Sequence, residues 1–201
     1  RVINNIQNSS SLYLMKTLFT TVFALISIIT GTMYPFVTSN MLILEFFVIG
    51  IPTFFLSLQP NTNRVSGKFL SFVLSRAVPG AIILVLAVQS TSIIAHFQPD
   101  YFDEYYTTIS VYLISFAGLI MLYRVCQPFN FFRAILFIAM FAISLIGLTL
   151  LPDIFIEKNH TPLGFVQIMY VLLIIMLCIP LSGVLLRITD KLNKSSEKKQ
   201  I

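Results

Sequence analysis

The chain has 201 residues, 57% of them hydrophobic and 10% charged, against roughly 45–50% apolar and about 25% charged usage in soluble domains. That balance excludes an ordinary water-soluble fold, and a mean hydropathy of +0.89 excludes intrinsic disorder. A formal charge of +5 is compatible with nucleic acid as a partner in a soluble protein; here the basic residues punctuate apolar blocks, and no nucleic-acid partner is expected.

Six apolar runs follow one another: about Leu12 to Thr30, Ser39 to Leu58, Phe69 to Ile94, Thr107 to Arg124, Phe131 to Leu151 and Phe165 to Ile188. At 1.5 Å rise per residue, about 20 residues cross the roughly 30 Å hydrocarbon core. A β-barrel needs segments of about 10 residues that alternate in polarity, and these runs are longer and apolar on every side. Unpaired backbone amides in lipid cost several kcal/mol each, so the runs are predicted to be helices. The fold expected is all-α, a polytopic bundle of six transmembrane helices. Residues 1–11 lead into the first helix, 12–188 form the membrane domain and 189–201 a basic tail.

Arg1, Lys16, Arg64, Lys68, Arg76, Arg124, Arg133, Arg187, Lys191, Lys194, Lys198 and Lys199 fall at one set of alternate helix ends, and Lys158 at the other. Asp100, Asp103, Glu104, Asp153 and Glu157 lie in loops on the side of Lys158. The positive-inside rule then puts both termini in the cytoplasm of a multi-pass cell-membrane protein. Tyr101, Phe102, Tyr105 and Tyr106, with Phe129, Phe131 and Phe132 opposite, fit interfacial aromatic belts. The lysines of the tail read as a topological stop or as a tether to anionic lipid. No leader peptide is visible, and Arg1 in the place of Met hints at an excised piece of something longer or at a trimmed sequence. Cys126 and Cys178 have no metal-site or disulfide spacing and are expected to be inert thiols.

Glu45 is the one acid inside a span, and a carboxylate there costs about 2.5–3.5 kcal/mol on insertion scales. It opens Glu45-Phe46-Phe47-Val48-Ile49-Gly50-Ile51-Pro52. Pro52 has no amide hydrogen, so the carbonyl of Val48 loses its helical donor, and Gly50 eases local unwinding. Val48 and Ile49 share the face of Glu45 in a regular helix. A carboxylate beside freed carbonyls is ligand chemistry for a hard cation; the competing reading is a protonated Glu bonded to a neighbouring helix beside a mere kink. Lys16 reads as snorkelling, and counting rise from the run ends sets it about 15 Å from Glu45 in depth, so no direct pair is expected. Thr17, Thr20 and Thr21 offer hydroxyls to a site or to their own backbone. His96 and His160 read as solvated, and Gln89, Ser90, Thr91 and Ser92 as interhelical contacts. Pro79 with Gly80, and Pro180 with Gly183, read as packing kinks.

Arg1-Val2-Ile3-Asn4-Asn5-Ile6 leading into Ser11-Leu12-Tyr13-Leu14-Met15-Lys16-Thr17 resembles the stretch of P-type cation-transporting ATPases that runs from the phosphorylation domain up a stalk into the fifth membrane helix. The segment from Glu45 to Pro52, continuing to Leu58-Gln59-Pro60-Asn61, is similar to the sixth helix of that family, with Pro60-Asn61-Thr62, Arg64 and Arg76-Ala77-Val78-Pro79 resembling a bacterial calcium-uptake branch. The resemblance is specific over about the first 80 residues and rests on helix count beyond them. It implies helices five to ten of a pump whose first four helices, actuator, nucleotide and phosphorylation domains lie outside this chain, with ATP and Mg as cofactors of the parent and calcium as a candidate cargo. The family's ion-binding Asn on the sixth helix falls at Glu45 and its acid before the Gly at Ile49; the fifth-helix Asn and Glu of calcium pumps fall at Thr17 and Thr20. Since Ile49 cannot ligate a cation, the resemblance implies one ion, held by Glu45, the Val48 carbonyl, Thr17, Thr20 and the absent fourth helix, with Lys16 as a candidate internal countercharge. No nucleotide-binding or hydrolytic motif occurs in these residues. A self-standing six-helix transporter or channel subunit, and a non-transporting membrane scaffold, are the alternatives.

Overall fold

The computed structural model describes residues 2–58, 69–156 and 160–198. The expectations attached to Arg1, Gln59, Pro60, Asn61, Thr62, Arg64, Lys68, Glu157, Lys158 and Lys199 lie outside the described residues. Among the described residues, six helices are long and apolar enough to cross a membrane. They are α1 (Val2–Thr30), α2 (Thr38–Leu58), α3 (Phe69–Phe97), α4 (Tyr106–Cys126), α5 (Phe131–Leu150) and α6 (Phe165–Lys198). No strand occurs among the described residues. Each helix covers its apolar run, α5 stopping one residue short at Leu150, and the excess lies at the ends: α1 begins in the segment read as a stalk, and α6 continues into the basic tail.

Local chemistry sets several boundaries. Gly31 closes α1 at φ +69, a left-handed conformation that a side chain would strain. The Asn130 side chain caps α5 by accepting from the Arg133 amide at 2.9 Å. Pro99 and Pro152 open the short helices Pro99–Phe102 and Pro152–Phe155, where a missing amide hydrogen costs nothing.

The core runs through α1, α3, α4 and α6, with α3 touching all three of the others. α4 is the inner helix, 72% buried over its apolar window, whereas α6 is 17% buried and presents most of its surface outward. Glycines let the helices close up. A Cβ on Gly80 of α3 would sit 2.5 Å from Met15 Sδ of α1, and one on Gly118 of α4 would sit 2.7 Å from Leu44 of α2. Pro79–Gly80 is therefore a packing element, as its sequence implies. Ser90 of α3 meets the Tyr170 hydroxyl of α6 at 2.7 Å, the interhelical contact expected of that polar run. Both cysteines are buried and free.

Two expectations about the helix ends need correction. Phe102 is 2% exposed and packs edge-on against Tyr170 at 5.2 Å, so it belongs to the core and not to an aromatic belt. His160 lies 3.7 Å from Asp153 instead of standing in solvent, while His96 is exposed.

The connection from α1 to α2 does not stay at the surface. Residues 31–37 turn back along α1, and Phe36 packs against Phe19 at 5.9 Å and Phe23 at 6.0 Å, with Tyr34 closing the cluster. Burial raises the Tyr34 phenol above its ordinary pKa. The start of α2 is thereby drawn down beside the middle of α1, and Asn40 fixes it there. Its amide donates to the Phe155 carbonyl at 3.1 Å and to the Ile156 carbonyl at 2.5 Å, while its oxygen accepts from the Val37 amide at 2.7 Å.

Candidate cation site

α2 is not one regular helix. Thr38–Ile43 is α-helical, Leu44–Gly50 is a π-helix, and Ile51–Leu58 is α-helical again. The Ile51 amide donates to the Phe46 carbonyl, five residues back. The residue that follows is Pro52, which has no donor for the Phe47 carbonyl in the wide register or for the Val48 carbonyl in the ordinary one. The interruption expected at Gly50 and Pro52 is thus a shift of the hydrogen-bond ladder by one residue, and the chain is not unwound. Gly50 suits it: its ideal Cβ would come within 3.0 Å of the Glu45 carbonyl oxygen.

Glu45 stands at the second residue of this π segment, and its Oε1 accepts a hydrogen bond from Lys16 Nζ of α1. The expectation that these two lie at different depths is wrong, and the reading of Lys16 as snorkelling fails with it. Counting from the run ends assumes that α2 starts at the membrane edge. The fold-back of residues 31–37 starts it level with Phe19 and Phe23, and a further seven residues, about 10 Å of rise, bring Glu45 to Lys16. The side chains are 27% and 42% exposed for Lys16 and Glu45 respectively. They line a cleft of about 290 Å³ with Tyr13, Phe46, Ile49 and Gly50.

The other residues singled out from sequence are placed differently. Val48 is buried and turned toward α4, its Cγ2 3.1 Å from where a Gly118 Cβ would be, so its side chain does not line the cleft. The wider turn explains this: five residues, not four, bring the chain back over Glu45, so Gly50 takes the place that a regular helix would give Ile49. Thr17 Oγ1 donates to the Tyr13 carbonyl at 3.1 Å and Thr20 Oγ1 to the Thr17 carbonyl at 3.1 Å, so both hydroxyls serve their own helix. Among the described residues no group of three or more His, Cys, Asp or Glu converges. The carboxylate chemistry of the cleft is therefore that of Glu45 alone. The residue that sequence reasoning undervalues is Lys16, and the available signal is Tyr34-Pro35-Phe36, an aromatic stretch too apolar for an ordinary surface loop.

No protein-family model and no solved structure matches the chain. Among characterised sequences, it is 27% identical over 146 residues to the probable cation-transporting ATPase exp7 of Streptococcus pneumoniae, an alignment covering 69% of this chain and 19% of that protein. It is 28% identical over 149 residues to the calcium-transporting ATPase CtpE of Mycolicibacterium smegmatis, covering 68% and 19%. To CtpE of Mycobacterium bovis it is 29% identical over 153 residues, covering 69% and 19%. The homologues are P-type cation- and calcium-transporting ATPases, and the chain spans about 19% of the length of these relatives.

Proposed function

We propose that this chain is the membrane portion, helices five to ten, of an ATP-driven cation pump, with both termini in the cytoplasm and Glu45 contributing to the intramembrane cation site. The observation that carries the reading is the pairing of Lys16 with Glu45 on a π segment backed by Pro52. Glu45 is the only carboxylate in its span, and it is already engaged by a cation, the ammonium of Lys16. A passenger ion that reaches Glu45 must take the place of that ammonium. Lys16 is thus a built-in competitor: it satisfies the carboxylate when no ion is present and yields it when one arrives. The carbonyl deprived of the Pro52 amide, that of Phe47 in the wide register or of Val48 in the ordinary one, is a further oxygen ligand on the same segment.

The relatives named above bear the names of a probable cation-transporting ATPase and, for CtpE, a calcium-transporting ATPase, and calcium is the cargo we infer. ATP and Mg belong to domains outside these residues; no nucleotide chemistry is assigned to the chain itself. The test has two parts. The uninterrupted reading frame should carry an Asp-Lys-Thr-Gly-Thr phosphorylation motif before Arg1. In the full-length protein, Glu45→Gln should abolish the dependence of phosphorylation on the cation, and unchanged ion dependence would remove Glu45 from the site and favour a structural role.

A further inference from the structure

At the end of the bundle that carries the basic residues, a cavity of about 530 Å³ opens between α1, α3, α4 and α6. Three of its lining residues are Arg76, Arg124 and Arg187, and the sole carboxylate among those lining it is Asp190. Volumes of this order are those of small-ligand sites. The arginines come from three different helices, so the tertiary fold, not local sequence, gathers three positive charges against one negative.

The cavity is built around these guanidinium groups. Arg124 donates from Nε to Ser182 Oγ at 3.3 Å, and from Nη2 to the same oxygen at 3.2 Å and to the Ile179 carbonyl at 3.3 Å. Gly183 makes room for it, since a Cβ there would lie 3.3 Å from Nη2. All of those partners are neutral, so the charge of Arg124 is oriented without being cancelled. Arg76 lies 4.5 Å over the Phe72 ring, with the carboxylate of Asp190 as the negative charge that acts on it. Thr189 Oγ1 donates to the Ser75 carbonyl at 2.8 Å and pins α6 to α3 beside Arg76 and Arg187. Three guanidinium groups and one carboxylate leave an excess of positive charge around the cavity, and an anion relieves the repulsion. Guanidinium forks match the oxygens of phosphate and carboxylate groups bidentately.

Apart from Ser11 and Gln127, the rest of the lining carries no polar side chain. Leu12 and Met15 of α1 and Met121 of α4 form the inner wall, and Val184, 52% exposed on the outward helix α6, stands at the lip. We propose that this cavity binds the headgroup of an anionic phospholipid, with the phosphate on Arg76, Arg124 and Arg187 and an acyl chain along the apolar wall. A free phosphate satisfies the arginines and leaves that wall to water, which is why the lipid is the occupant argued for. The site is independent of Glu45 and of the transport reading.

Full-length protein reconstituted with spin-labelled phosphatidylglycerol or phosphatidylcholine tests it. Phosphatidylglycerol should be retained preferentially, and Arg187→Gln, at an exposed position that leaves the core untouched, should weaken its binding about fivefold, as should Arg76→Gln. Arg133→Gln removes the same charge from the same end but outside the cavity and should leave the preference intact. Equal retention of the two lipids would overturn the proposal, as would an equal effect of Arg133→Gln, which would mean a diffuse surface charge. Full displacement of phosphatidylglycerol by millimolar inorganic phosphate would overturn the lipid and leave a soluble phosphate site.

Discussion

α2 and α4 are each 21 residues long, lie in contact, and meet the same length requirement of a membrane. α4 is a single α-helix buried on most sides, with Gly118 letting α2 approach. α2 changes hydrogen-bond register twice and carries Glu45. Hydrophobic length alone makes a helix; what marks the candidate site is the short run in which the ladder is offset and a charge is tolerated. The junction between the two is where α4 gives up a side chain so that the π turn of α2 has room.

The largest effect should follow from filling that junction. Gly118→Leu puts bulk against Leu44 and Val48, which are 0% and 1% exposed and cannot retreat; overpacking of about 3 kcal/mol is expected, read as a lowered thermal midpoint of the purified full-length protein. Asn40→Leu removes the donor to the Phe155 and Ile156 carbonyls and the acceptor for the Val37 amide, a cost of about 2 kcal/mol by the same measurement. Pro52→Ala makes α2 more like α4 by restoring an amide donor. We expect stability to rise by about 1 kcal/mol and cation-stimulated turnover to fall, and a rise in both would mean that the offset serves packing alone. Thr17→Ala should change stability by less than about 0.5 kcal/mol and leave ion dependence as it is, because its hydroxyl bonds the Tyr13 carbonyl. A loss of ion affinity there would return Thr17 to the site.

The helices are legible in the sequence because bilayer thickness fixes their length, and the observed spans reproduce the apolar runs. The weak point of α2 is legible too, since proline removes a donor wherever it sits; that the chain answers with a π turn is not, because the choice depends on the room offered by Gly118. The partnership of Lys16 and Glu45 is hidden for a different reason. Depth along a helix can be counted only from a known end, and the end of α2 is set by the packing of Phe36 on Phe19 and Phe23, a tertiary contact. The arginine cavity is hidden likewise, because Arg76, Arg124 and Arg187 look like three separate topological charges until three helices bring them together.

The exchange of Lys16 for a passenger ion on Glu45 is tested most directly by the half-saturating calcium concentration for phosphorylation of the full-length Lys16→Met protein. With the competing ammonium gone, that concentration should fall by about fivefold while saturable ion dependence is kept. A value that is unchanged or raised would contradict the exchange and leave the pair as a structural tie between α1 and α2.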